Sequence, residues 1–367
     1  MNKLQRIGVL TGGGDCPGLN AAIKWVTKTA LDKKSEKERG YKYEVWGFKD
    51  GWQGLAFSAE TRQDCIVPLT ESIVRTWDRY GGTNLGSSRY NPFNPRIGTS
   101  KLVIDNIHKL GLDVLVAIGG EDTLGVATKL SQAGINVIGI PKTIDKDLTG
   151  TEYTLGFETA VETVTDIVDK LRTTAGSHRR IFIVEIMGRS AGWLTLKGGE
   201  SCGAYIILIP EFDFSIEHVC DLIQEGQAAG TRYDMILVAE GAKPQGGKMV
   251  TKDNKLDSFG HESMGGIAEY LADQIDAKIG VECRTVVLGH IQRGGAPCSY
   301  DRRMGRYFGI AAVNLAVKGQ FGRLVSVQNG RITSVPLAEV LGRLNLVDVN
   351  QLYDTQRYNG SRNIMKE

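Results

Sequence analysis

Five short clusters of glycine and ionisable residues stand directly after apolar runs in this chain, and they have the chemistry of groups that hold and move anions. The first is Thr11-Gly12-Gly13-Gly14-Asp15-Cys16-Pro17-Gly18-Leu19-Asn20. Consecutive glycines let backbone amides approach a ligand, and the helix-like run that follows offers its positive end to an anion. A structural tight turn explains the same residues equally well. The spacing misses the G-x-G-x-x-G fingerprint by one position, so hydride chemistry finds no support. The second cluster, Gly119-Gly120-Glu121-Asp122-Thr123, sets two carboxylates side by side. Such a pair either meets a cation, for which Mg²⁺ is the natural choice, or caps the start of a helix. The third is Pro141-Lys142-Thr143-Ile144-Asp145-Lys146-Asp147-Leu148. If this loop is extended, alternation points Lys142, Ile144 and Lys146 one way and Thr143, Asp145 and Asp147 the other. Two carboxylates on one side could divide general-base work from metal ligation.

The fourth cluster is Met187-Gly188-Arg189-Ser190-Ala191-Gly192, with Ser177-His178-Arg179-Arg180 shortly upstream. The fifth is Gly289-His290-Ile291-Gln292-Arg293-Gly294-Gly295, preceded by Arg284. The guanidinium fork matches phosphate oxygens, so several arginines at strand ends point to a phosphorylated, acidic substrate.

The elements that must position these clusters are short Val/Ile-rich runs alternating with longer helical patterns, the sequence form of a parallel sheet covered by helices. Strands are expected at Ile7 to Leu10, Val114 to Ile118, Val137 to Ile140, Ile181 to Ile186, Ala204 to Ile209, Met235 to Ala239 and Thr285 to Leu288. Helices are expected at Ala21 to Leu31, Leu124 to Gln132, Glu158 to Thr173 and Met264 to Ile279, with Gly134 and Gly280 as stops. The charged stretch 32–43 reads as a solvated helix end plus loop. Residues 241–256 read as an exposed loop without Walker spacing at Gly247-Lys248.

With 367 residues the chain exceeds the usual size of one core, so two lobes are expected. A net charge of +2 gives no general argument for nucleic-acid or membrane binding. Six dispersed cysteines without a C-x-x-C pair predict free thiols in a reducing, cytoplasmic setting. The first residues show no signal-peptide core, and no run of eighteen apolar residues occurs.

In order and spacing, TGGGDCPGLNAAI, GGTNLGSSR, IGGEDT, PKTIDKD, TLGFETA, SHRRI, EIMGRSAG and VLGHIQRGG resemble the motifs of the 6-phosphofructokinases. The resemblance implies an α/β fold of two Rossmann-like, doubly wound lobes with parallel-rich sheets and the active site in the cleft between them. It implies a donor-binding lobe of residues 1–156 and 292–343 and a sugar-phosphate lobe of residues 157–291 and 344–367. By the same likeness Asp145 is the base for the C1 hydroxyl of fructose 6-phosphate, Thr143 holds the transferring phosphoryl group, and Gly14 touches the donor. Arg89, Thr123 and Lys142 also serve the donor. Glu121 and Asp147 serve Mg²⁺. Met187, Gly188, Arg189, Glu240, His290 and Arg293 bind the sugar phosphate, while Arg180 and Arg284 reach in from a neighbouring subunit of a homodimer or homotetramer.

ATP-using members typically carry glycine at the position of Asp122 and often at that of Lys142. The Asp122 and Lys142 pair resembles the pyrophosphate-dependent branch, in which the carboxylate repels the α-phosphate of ATP. Lys24, Lys28, Ala229 and Thr231 depart from the effector-binding residues of bacterial ATP-using relatives, and Arg172 alone matches, so a non-allosteric enzyme is expected.

Overall fold

A computed structural model describes residues 3–58, 63–247, 250–256, 262–363 and 365. Along the chain come β1 (Lys3–Thr11), α1 (Leu19–Ala30), α2 (Lys33–Arg39), β2 (Tyr41–Phe48), α3 (Gly51–Phe57), β3 (Ile66–Leu69), α4 (Glu71–Val74), α5 (Ser100–Lys109), β4 (Val114–Gly119), α6 (Glu121–Gln132) and β5 (Val137–Pro141). Then follow α7 (Phe157–His178), β6 (Ile181–Ile186), α8 (Trp193–Cys202), β7 (Ile206–Leu208), α9 (Ile216–Ala228), β8 (Asp234–Ala239), β9 (Thr251–Leu256), β10 (Glu262–Met264), α10 (Ile267–Ile279) and β11 (Cys283–Val287). The last major elements are α11 (Ser299–Val317), β12 (Arg323–Gln328) and β13 (Arg331–Pro336).

Two compact units result. The first comprises Met1–Ile144, Leu148–Thr159 and Arg293–Arg343, and the second comprises Asp145–Asp147, Ala160–Gln292 and Leu344–Glu367. The first unit holds a sheet in the order β13-β12-β5-β4-β1-β2-β3. Its inner pairs, from β12 to β2, run parallel, and the antiparallel strands β13 and β3 close its edges. Every residue of β4 and β5 is buried, the pattern of central strands covered on both faces. The order reverses at β1, since β2 lies on one side of it and β4 on the other. Ligands of open α/β sheets bind outside the carboxyl ends of strands at such a switch point.

The second unit holds an all-parallel sheet in the order β11-β6-β8-β7. Here the carboxyl ends of β6, β8 and β11 are neighbours.

Three expectations need revision. Within the stretch 32–43, Lys33–Arg39 form a separate helix, capped by the Asp32 carboxylate on the Ser35 amide and ended by Gly40 in the left-handed region, and Tyr41 begins β2. A seven-residue helix with its own caps at both ends needs no apolar face, so charge alternation concealed it. The expected loop 241–256 includes strand β9, paired antiparallel with β10, while residues 248–249 lie outside the described residues. The helix expected from Met264 starts at Ile267, because Gly265 and Gly266 adopt φ of 130° and 93° and separate it from β10.

Candidate active site

Three loops meet at the carboxyl edge of the first sheet. The Gly12 amide donates to the Ile118 carbonyl at 3.0 Å, and the Lys142 amide donates to the Gly119 carbonyl at 3.0 Å. These bonds join the ends of β1, β4 and β5 into one surface. Thr123, in the first turn of α6 and 3% exposed, packs between the first two loops. A Cβ on Gly12 would come within 2.5 Å of the Thr123 hydroxyl, and one on Gly119 within 2.3 Å of the Thr123 Cβ. Packing against Thr123 therefore demands glycine at position 12. Thr123, assigned to the donor from sequence, stands in the structure as the spacer that holds both loops in contact.

Gly14 faces a different neighbour. A Cβ there would lie 1.7 Å from a terminal nitrogen of Arg293, whose guanidinium also donates to the Asp15 carbonyl at 3.4 Å. Arg293, assigned to the sugar phosphate from sequence, belongs to the first unit and rests on the glycine loop. Its Nε is buried and makes no hydrogen bond, so this guanidinium keeps donor capacity beside Gly14.

Lys142 is 4% exposed, and its ammonium donates to the Gly14 carbonyl at 2.6 Å. That bond ties the third loop to the glycine loop. Cys16 lies close by; burial pushes its thiol up to about 12, the Lys142 ammonium offsetting part of the effect, so it stays protonated and donates to the Leu155 carbonyl at 3.3 Å. Glu121 and Asp122 occupy the first turn of α6, exposed, where the helix dipole favours negative charge. One Glu121 oxygen accepts from the Gly342 amide at 3.2 Å. Arg89 is exposed, and sequence reasoning missed what places it. Ser87 donates to the Gly13 carbonyl, and the Gly13 amide donates to the Ser88 carbonyl at 3.2 Å, so residues 87–88 form a rail along the glycine loop. A Ser-Ser pair after Gly86 is too common a loop composition to have signalled this.

The loop after β5 is not extended throughout. Thr143 accepts at its carbonyl from the Thr154 hydroxyl at 2.7 Å, a turn covers Ile144 and Asp145, and Lys146 has φ 54°. The left-handed residue breaks the alternation expected from sequence. Ile144 is buried, whereas Asp145, Lys146 and Asp147 are partly exposed. The carbonyls of Lys146 and Asp147 accept from the side-chain and backbone nitrogens of Asn345 at 2.8 Å each, which anchors the three residues within the second unit.

On the second sheet, the Glu240 amide donates to the Ile186 carbonyl at 2.8 Å and the Gly241 amide to the Gly188 carbonyl at 3.2 Å. The Met187 amide donates to the Gln292 side chain at 3.3 Å. Met187, Gly188, Arg189, Glu240 and the segment bearing His290 are thus brought to one carboxyl edge. Arg180 and Arg284 are not. At the rise of a strand, Arg180, just before β6, lies about 20 Å from the carboxyl end of that strand, and Arg284, the second residue of β11, lies about 10 Å from the end of its own. Arg284 pairs with Glu282 at 2.7 Å and remains exposed.

A model of the family described as phosphofructokinase matches residues 6–316. The chain belongs to the phosphofructokinase family. It is 47% identical to a pyrophosphate–fructose 6-phosphate 1-phosphotransferase of Streptomyces coelicolor, over 94% of this chain and 96% of that one. It is 41% identical to an ATP-dependent 6-phosphofructokinase of the same organism, over 94% and 96%. The solved structure of a pyrophosphate-dependent phosphofructokinase from Nitrosospira multiformis superposes with a TM-score of 0.82 at 19% identity, covering 97% of this chain and 89% of the other, and shares the fold. The motifs after β1, β4, β5, β6 and β11 lie at the two carboxyl edges described above, whereas SHRRI lies at the amino end of β6.

Proposed function

We propose that this phosphofructokinase transfers a phosphoryl group from pyrophosphate to the C1 hydroxyl of D-fructose 6-phosphate, yielding fructose 1,6-bisphosphate and orthophosphate, as a cytoplasmic, Mg²⁺-dependent, non-allosteric homo-oligomer. The observation that carries the donor assignment is Lys142 fixed on Gly14, with Asp122 in the first turn of α6 after β4. The relatives named for pyrophosphate share 42–47% identity with this chain, and those named for ATP share less, 39–41%, which supports the same donor. The charges decide it. Two negative charges about 4 Å apart cost on the order of 4 kcal/mol at an effective dielectric near 20, so a carboxylate at Asp122 disfavours a third phosphate. The Lys142 ammonium and the Gly14 amide suit the shorter donor, with Arg89 and Arg293 neutralising charge that develops on the leaving orthophosphate.

Asp145 accepts the C1 proton while the oxygen attacks the terminal phosphorus and the bridging P–O bond breaks. Thr143 holds the phosphoryl group in transit, and Arg189, Glu240 and His290 orient the sugar phosphate. Among the described residues no group of three or more His, Cys, Asp or Glu side chains is placed to hold a metal. Glu121 on the first unit and Asp147 on the second are each carboxylates of the kind that would serve Mg²⁺, which, when bound, would neutralise charge on the substrate phosphates.

The amino-end positions of Arg180 and Arg284 support their service to a neighbouring subunit. Lys24 bonded to Asp78 at 2.7 Å, Lys28 over the Trp25 ring, and Arg172 bonded to the Gly203 carbonyl at 2.8 Å support the non-allosteric reading, because these cations are already engaged. No disulfide joins the six cysteines, which supports a reducing compartment. No helix among the described residues is long and apolar enough to cross a membrane.

Because the leaving group is only orthophosphate, the reaction should run both ways. Given fructose 1,6-bisphosphate, Mg²⁺ and orthophosphate, the protein should release pyrophosphate and fructose 6-phosphate, seen by ³¹P NMR. No pyrophosphate under conditions that support the forward reaction would contradict the proposal.

A further inference from the structure

One buried carboxylate with four hydrogen bonds belongs to none of the strand-end clusters. Asp301, in the first turn of α11, is 0% exposed. One of its oxygens accepts from the Tyr153 hydroxyl at 2.7 Å and from the Gly156 amide at 2.7 Å. The other accepts from the Thr159 amide at 3.0 Å and the Thr159 hydroxyl at 2.6 Å. Thr159 lies in the first turn of α7, so two helix amino ends converge on one negative charge. Burial and the adjacent carboxylate push the Tyr153 phenol well above its ordinary range, so it stays a donor.

The segment pinned in this way, residues 153–156, is a strap across the donor loops. The Leu155 amide donates to the Pro141 carbonyl at 3.1 Å, Leu155 pairs with Lys142 as a β-bridge, and the Thr154 hydroxyl holds the Thr143 carbonyl. The Leu155 carbonyl accepts from Cys16, in the loop whose Gly14 carbonyl receives Lys142. Each of these links lies within the first unit. The glycine loop and the Lys142-Thr143 loop therefore share one buried anchor, beside the Thr123 spacer and the 87–88 rail.

We infer that Asp301 is a positioning residue for the phosphoryl donor: its carboxylate fixes the 153–156 strap, and the strap fixes Lys142, Thr143 and the glycine loop. This rests on the proposed function only in taking those loops as the donor side. The side chain of Asp301 touches no substrate.

Asp301→Asn keeps the shape but puts an NH₂ group against hydrogen-bond donors. Loss of bonds to a charged group should raise KM for pyrophosphate about 10-fold or more, while KM for fructose 6-phosphate stays within about 2-fold. Tyr153→Phe removes a single donor and leaves the charge, and it should raise the pyrophosphate KM about 3-fold with the same selectivity. Circular dichroism and the thermal midpoint report the folded fraction, and if Asp301→Asn does not fold, Tyr153→Phe decides. A role confined to stability would lower kcat in proportion to the folded fraction and leave the donor KM unmoved; that result, or an equal rise in both KM values, overturns the inference. Turnover by the wild-type protein tests the proposed function separately, because the variant-to-wild-type ratio is read with whichever donor the wild type uses.

Discussion

Replacing Asp145 by Asn is expected to lower kcat by about 10²–10⁴-fold, the usual contribution of a positioned general base, while the KM values for both substrates change by no more than a few-fold. The amide has nearly the volume of the carboxylate, so the turn at Ile144 and Asp145 and the left-handed Lys146 should persist. The Asn345 bonds that anchor this segment are made to the backbone carbonyls of Lys146 and Asp147 and do not depend on the Asp145 side chain. What disappears is the group able to accept the C1 proton. Steady-state kinetics on a folded variant check this. A loss confined to KM for fructose 6-phosphate would recast Asp145 as a binding group.

The second large effect concerns donor choice. Asp122→Gly should strengthen ATP binding and weaken use of pyrophosphate. The size of the gain depends on how far solvent screens the carboxylate. With the dielectric of water the repulsion at about 4 Å is roughly 1 kcal/mol, and at an effective value near 20 it is roughly 4 kcal/mol, so ATP affinity should rise between about 5-fold and about 1,000-fold. Asp122 is exposed, which favours the lower half of that span. Lys142 should remain on Gly14, since its bond is made by a different loop. Calorimetric titration with ATP and with pyrophosphate reads both affinities. Unchanged ATP affinity would remove Asp122 as the gate.

The fold was legible where apolar runs are buried on both faces. β6 coincides with the expected Ile181 to Ile186, and β4 extends the expected Val114 to Ile118 by one residue. Burial of both faces leaves β4 without a charged position to blur the run, and the one charge in β6, Glu185, is itself buried and held by the Gly266 and Ala268 amides. Elsewhere the signal was weak or overlooked. β2 carries Lys42 and Glu44 among its apolar residues and continues a charged stretch, so its start was read as loop. The hairpin of β12 and β13 turns at Asn329-Gly330, both at positive φ, a pairing that is itself a strong short-range hairpin signal.

The candidate site was legible as a set of loops and illegible as a set of contacts. Glycine and charge after each strand announced the loops. That Lys142 would donate to Gly14, or that Asp301 would hold Tyr153, depends on residues 128 and 148 positions apart. Only the assembled sheet brings such pairs together. Asp301 in particular reads from sequence as an ordinary acid in the first turn of a helix, a role it also fills.

The central claim concerns the donor, and one comparison tests it most directly: kcat/KM for pyrophosphate and for ATP, measured on the same purified protein with saturating fructose 6-phosphate and Mg²⁺. Pyrophosphate should be preferred by a wide margin, with fructose 1,6-bisphosphate and orthophosphate formed in equal amounts. Faster turnover with ATP would contradict the account at its two deciding side chains, Asp122 and Lys142.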